Sequence, residues 1–234
     1  MVYSIFKTRK TKKMKKNVAL YIIVSILIIL PFIYLFSVYS ILPQSVPTHF
    51  GLDGTPDAMS DKSSLWSIIS FCAGTSLFVF FLLRFLPAID PKRKAQNSAG
   101  AFVKMGVAAV VLLSVINCLI INSAQKGVFN FNHAFPALLG IFFAFIGNNM
   151  YSIKLNYFAG IRTPWTLESE ETWRKTHQLA GKLWFIGGLL IAIISILLPS
   201  SFSMSFLTGI VIIITIIPVV YSYIYFKSSQ KTLN

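Results

Sequence analysis

The side chains able to do chemistry gather in two stretches of the chain. The first holds His49, Asp53 and Asp57, an imidazole and two carboxylates whose donor types suit a divalent cation or the charged groups of a peptide. Their order does not fit an EF-hand loop, which needs acidic ligands on alternate residues and a closing glutamate. Asp53-Gly54 is also a two-residue hairpin signal between apolar flanks, and Pro43 and Pro47 favour an extended run on the way in. Turn chemistry is therefore favoured over metal, and the stretch is expected to form a small ordered hairpin. Catalysis would need a positioned nucleophile or a second acid, and neither is evident.

The second stretch runs from Asn156 to Leu167 and contains Gly160-Ile161-Arg162-Thr163-Pro164-Trp165. A flexible glycine, a five-donor guanidinium and a rigid Pro-Trp corner are packed together here, as in a segment built to hold one shape. Arg162 suits a lipid phosphate, helix-end carbonyls or a partner's carboxylate. Beyond it, Glu168 to Gly181 reads as a helix. Thr166 or Ser169 is its expected N-cap, and Glu168, Glu170 and Glu171 fall in the first turns, where the dipole favours negative charge. Glu170/Arg174 and Glu171/Lys175 stand four apart in the favourable order. Trp173, His177, Ala180 and Trp184 share one face. The helix is expected to ride in the membrane interface and continue into the next span, with Trp165, Trp173 and Trp184 at headgroup depth. His177 reads as a packed residue rather than a base or ligand.

An intramembrane protease would need paired Asp, a Ser with a His, or an H-E-x-x-H helix. Aspartate occurs only in loops, and His49, His133 and His177 lie on separate segments. Cys72 and Cys118 sit inside apolar runs without metal-ligand spacing, where cysteine behaves as a small hydrophobe. The expectation is a protein that is not an enzyme, with no metal and no cofactor.

The elements that must position these stretches follow from composition. The 234 residues are 55% hydrophobic and 12% charged, against about 25% charged in soluble chains, and the mean hydropathy is +0.71. That excludes an ordinary soluble domain, and the abundance of large apolar residues excludes disorder. The net charge of +14 is then the signature of cytoplasmic loops rather than of nucleic-acid binding. Six apolar segments are each long enough for a helix to cross a bilayer: 18–40, 65–87, 102–122, 132–151, 180–199 and 203–226. All 21 Lys and Arg except Lys62 and Lys126 fall in the tails and the even-numbered loops or beside them. This predicts an all-α integral membrane protein with both termini in the cytoplasm. Loop 41–64 then lies outside and loop 152–179 inside, and the basic tail 1–17 lies against anionic lipid.

Pro31, Pro136 and Pro218 are expected to kink their helices. Asn117, Asn148 and Asn149 are the main polar residues in or near the spans, and bonding between helices accounts for them. The spans hold almost no ionisable group at mid-depth, because Arg84, Lys104 and Lys182 lie near cytoplasmic ends. Ion- or proton-coupled transport is disfavoured.

Asn156 through Leu167, followed by Trp173, Thr176-His177 and Gly181, resembles the signature of the SdpI family of bacterial toxin-immunity membrane proteins. Leu42-Pro43 to Pro47-Thr48-His49-Phe50, with Gly54, Asp57 and Lys62, resembles the companion domain of unknown function often found ahead of it. The resemblance implies a companion domain over 18–100, an SdpI-like four-span domain over 101–226 and a short cytoplasmic tail over 227–234. It also implies a multi-pass protein of the bacterial plasma membrane that protects its producer from a secreted, membrane-directed peptide toxin by binding. One branch of the family holds a small cytoplasmic autorepressor at the membrane, so a transcriptional repressor is a second implied partner, without direct nucleic-acid binding. Asn156, Gly160, Ile161, Arg162, Thr163, Pro164, Trp165, Trp173, Arg174, His177 and Gly181 are the inner candidates for binding or signalling. Pro43, Pro47, His49, Phe50, Gly54, Asp57 and Lys62 are the outer candidates for toxin contact.

Overall fold

The computed structural model describes residues 2–50, 56–90, 94–126, 131–197 and 199–233. Seven α-helices and one hairpin follow each other along the chain. Helix α1 (Val2–Val38) leads through a single 3-10 turn to strands β1 (Ser45–Phe50) and β2 (Pro56–Asp61). Then come α2 (Ser64–Ile89), a 3-10 segment at Lys94–Ser98, α3 (Ala99–Lys126), α4 (Phe131–Met150), the short α5 (Pro164–Glu168), α6 (Glu170–Leu197) and α7 (Ser200–Leu233).

Six of these helices are long and apolar enough to cross a membrane, over Asn17–Ile41, Ser64–Ile89, Ala95–Lys126, His133–Met150, Glu170–Leu197 and Phe202–Lys231. Each overlaps one of the apolar segments marked in the sequence, and the fold is that of an all-α membrane protein. The large apolar side chains that remain exposed, such as Ile33, Phe36, Phe71, Phe78, Ile193 and Ile224, face where lipid tails are the natural solvent. Pro31, Pro87, Pro136 and Pro218 all lie inside helices that continue through them.

The helix pair α4–α6 is held by backbone approach rather than by large side chains. A Cβ placed on Gly140 would stand 2.6 Å from the Gly188 carbonyl, one on Gly147 2.8 Å from the Gly181 carbonyl, and one on Gly181 2.9 Å from the Gly147 carbonyl. Only glycine fits at these crossings, and close packing of this kind is the main force between helices in lipid. Polar bonds between spans come from groups other than the asparagines expected to supply them. Ser114 donates to the Leu27 carbonyl (2.6 Å), Trp184 Nε1 to the Ile214 carbonyl (3.0 Å) and His133 Nδ1 to the Ser195 carbonyl (2.7 Å). Asn149 instead turns back on its own helix, donating to the Phe145 carbonyl at 2.8 Å.

The hairpin is antiparallel, with its register shifting at Pro47 to Phe50. Proline has no N–H to give the ladder and sits readily beside such an irregularity. The hairpin stands on the bundle through Leu42 and Val46, which pack with Leu35, Val38, Leu65, Ile69, Ile121 and Ala124. The turn residues Asp53 and Gly54 lie outside the described residues.

Candidate functional site

At the opposite end of the bundle, the chain between α4 and α6 is held from inside by one asparagine. Asn156 is fully buried. Its amide donates to the carbonyls of Lys154 (2.9 Å) and Ala159 (3.0 Å). Its carbonyl accepts from the N–H groups of Phe158 and Ala159, both at 2.8 Å. Both donor hydrogens and both acceptor directions of the side chain are thus used, and the turn 154–159 is closed around it.

Gly160 follows with φ at +118°, a conformation glycine adopts at little cost. A side chain there would collide with the His177 ring and meet the Trp173 ring at 3.0 Å. The next residue, Ile161, donates its N–H to His177 Nε2 at 3.1 Å. His177 Nδ1 lies 2.9 Å from the Trp173 carbonyl. Since Nε2 accepts, Nδ1 carries the proton and the ring is neutral. The imidazole stacks on the Trp173 indole at 4.1 Å between centroids and 18° between planes, and Trp173 Nε1 donates to the Ile153 carbonyl at 2.9 Å.

The turn after it is capped locally. Thr163 is the N-cap of α5, with Pro164 in the first turn and a reciprocal bond between the Thr163 backbone N–H and Thr166 Oγ1 at 2.9 Å, a capping box built from two threonines. Thr166 Oγ1 donates to the Ile161 carbonyl at 2.8 Å. Ser169 then caps α6, accepting from the Thr172 N–H at 3.1 Å, and α6 runs unbroken to Leu197. Of the two caps expected from the sequence, Ser169 serves the long helix, whereas Thr166 lies inside the short one before it.

Two further expectations change. Trp173 is 2% exposed and His177 1%, so Trp173 is not a headgroup anchor. The 153–161 segment folds over that aromatic face and buries it. The ion pair is also set differently: Arg174 reaches Glu171 at 3.8 Å, one helical turn back, while Tyr225 Oη donates to the same Glu171 carboxylate at 2.8 Å.

The segment is fastened to most of the bundle. Ile153, Leu155 and Trp173 share a core with Leu86, Ala95, Phe102 and Met105 from the α2–α3 end, and Ser98 Oγ accepts from the Lys154 N–H at 2.8 Å. Trp165 Nε1 donates to Ser222 Oγ on α7, and its ring meets Tyr223 edge-on at 5.2 Å. What is exposed in this region is Tyr157 and Phe158 at 40% and 38%, with Arg162 and Pro164 further along the segment and Arg174 on α6. Arg162 donates Nη1 to the Tyr157 carbonyl, a loop carbonyl rather than a helix end, which ties these two residues together. The motif residues therefore divide. Asn156, Trp173, His177 and Gly181 are buried and hold the shape, and Arg162, Pro164 and Arg174 are presented. Tyr157 and Phe158 are additional surface residues, visible beforehand only as aromatics inside a loop.

In the hairpin, His49 Nδ1 and Asp57 Oδ1 are 2.6 Å apart across the strands, and both side chains are exposed. Thr48 and Ser60 hydroxyls meet at 3.1 Å. Lys62 donates its backbone N–H to the Gln44 carbonyl at 2.9 Å, while its ammonium reaches the Tyr39 carbonyl at 3.4 Å and stands 4.9 Å over the Tyr39 ring. Pro43 is exposed and Pro47 buried, and Phe50 closes β1 opposite Pro56. The Ser63 N–H donates to Asp61 at 2.8 Å and holds that carboxyl below its ordinary range. Among the described residues no group of three His, Cys, Asp or Glu is placed to hold a metal ion.

Comparison with known proteins agrees with both motifs. Residues 152–222 match the model of the SdpI/YfhL protein family, and residues 26–73 match the Domain of unknown function DUF1648. The chain is 26% identical over 216 residues to Immunity protein SdpI of Bacillus subtilis (strain 168), covering 92% of this chain and 97% of that one. No solved structure matches. The matched segment 152–222 begins where the Asn156 turn begins and ends at Ser222, the α7 residue bonded to Trp165. With both segments matched and the alignment running nearly end to end, the chain is similar to the SdpI/YfhL protein family over residues 152–222 and to DUF1648 ahead of it, and its six long apolar helices are those of a multi-pass membrane protein.

Proposed function

We propose that the protein protects the bacterium that makes it against a secreted, membrane-active peptide, and that it does so by binding rather than by chemistry. It resides in the cytoplasmic membrane with both termini inside, a reading that the distribution of Lys and Arg supports. The hairpin then faces the exterior and the 152–181 segment the cytoplasm. The domains divide at about residue 100, between the companion part and the four-span part. The observation that carries the reading is the alignment over 92% of the chain with a relative named as an immunity protein. The chemistry of the two motif regions supports it. Their polar groups are spent on holding shape or stand exposed without a catalytic partner, which suits recognition.

A second role in signalling is supported by the exposed side chains of Tyr157, Phe158, Arg162 and Arg174. Aromatic and arginine side chains together make a typical protein-docking surface, here for a cytoplasmic repressor held at the membrane. The two roles use opposite ends of the molecule and are compatible.

The test is survival of a peptide-sensitive bacterium expressing the chain, with membrane abundance measured in every strain. Wild type is expected to restore growth in the presence of the peptide secreted by a producing strain. Full sensitivity at normal membrane abundance, against every peptide of this class supplied, overturns the immunity reading.

A further inference from the structure

Beside the α4–α6 crossing lies a pocket of about 470 Å³ that neither motif accounts for. Gly147 and Gly181, where the two helix backbones meet most closely, line it. Lys182, Asn148, Gln178 and Tyr151 line it beside the glycines, and among the described residues no carboxylate does. Among the described residues none of these four side chains is hydrogen-bonded elsewhere, and a second cation, Lys154, stands 5.9 Å from the centroid of the Tyr151 ring. The pocket lies at the end of the His133–Met150 span, the depth at which headgroups sit. Towards mid-membrane it continues into Phe185. Leu189 lies one turn further along that face of α6, and Ile141 two turns back from Asn148 on α4, all three exposed.

We infer that this pocket binds the phosphate of an anionic phospholipid, with Lys182, Asn148, Gln178 and Tyr151 as donors and the acyl chains laid along Phe185, Leu189 and Ile141. A set of donors without any acid selects an anion. Basic pockets between helices at a membrane surface are suited to lipid headgroups. The apolar track distinguishes a lipid from a free phosphate, which has no use for it.

The experiment uses the full chain purified in micelles and titrated with dioleoyl phosphatidylglycerol, with dioleoyl phosphatidylcholine, or with inorganic phosphate. Thermal unfolding and the number of lipids retained per chain in native mass spectra are read. Phosphatidylglycerol is expected to raise the unfolding temperature and to remain bound at one per chain, while the other two leave it unchanged. Lys182→Gln and Asn148→Asp are expected to weaken that binding by about fivefold or more each. Both positions are exposed, so the lipid-free unfolding temperature should stay at the wild-type value. Lys227→Gln, on the remote end of α7, should bind as wild type. Equal effects of phosphatidylcholine or of phosphate, retention of the lipid by both pocket variants, or an equal loss in Lys227→Gln would each overturn the assignment.

Discussion

His49 and Asp57 face each other across the hairpin with 73% and 48% of their side-chain surface open, whereas Asn156, Trp173 and His177 at the other end are all within 2% of complete burial. Each group forms a compact set of polar contacts, and each belongs to a motif. The energetic consequences differ because water competes for an exposed pair and not for a buried one. His49 and Asp57 in the hairpin are free to meet something else. Most motif residues in the 152–181 segment are already committed to one another, and the surface they support consists of neighbours such as Tyr157, Phe158 and Arg162. Removing a buried motif residue therefore measures folding first and recognition second, while removing an exposed one measures recognition almost alone.

Substitutions separate the two regions in order of size. Asn156→Ala leaves two N–H groups and two carbonyls without the bonds that close the turn, and should cost about 3 kcal/mol or more. Thermal unfolding in micelles and faster proteolysis between residues 152 and 163 would report it. Gly160→Ala places a methyl at positive φ against the His177 ring and should cost about 2 kcal/mol, read in the same assay. Trp173→Phe keeps an aromatic face for His177 but forfeits the bond to the Ile153 carbonyl, for a loss of roughly 1–3 kcal/mol. His49→Ala and Asp57→Ala should shift stability by no more than about 0.5 kcal/mol. If either hairpin change destabilised the protein as much as Asn156→Ala, the contrast between the two ends would collapse. If Asn156→Ala left the 152–163 segment resistant to protease, the buried-anchor account of that end would fail.

Much of this organisation was legible in the residues. Twenty apolar residues in a row leave a helix few alternatives in lipid, so all six spans were visible, and the hairpin announced itself through Pro43, Pro47 and its turn pair. Ser169 was visible as a cap because hydroxyl caps work through local bonds. The destination of the Trp173 face was not legible. Its periodicity says that it is buried, but whether lipid headgroups or a loop twenty residues upstream covers it depends on the path of the chain through Asn156 and Gly160. The glycine crossings were present as Gly140 with Ala144 and Gly188 with Ala192, each four apart, a small-residue spacing that signals close helix packing and that composition alone does not pair.

Binding as the basis of protection is most directly tested by measuring the association of the secreted peptide with lipid nanodiscs that contain the purified chain, beside empty discs. Saturable binding to the loaded discs is the expected result. It should be reduced at least tenfold by His49→Ala with Asp57→Ala and left unchanged by Arg162→Ala with Tyr157→Ala, in variants that still fold. Cells protected by the chain, with no binding to loaded discs above that of empty ones, would contradict it.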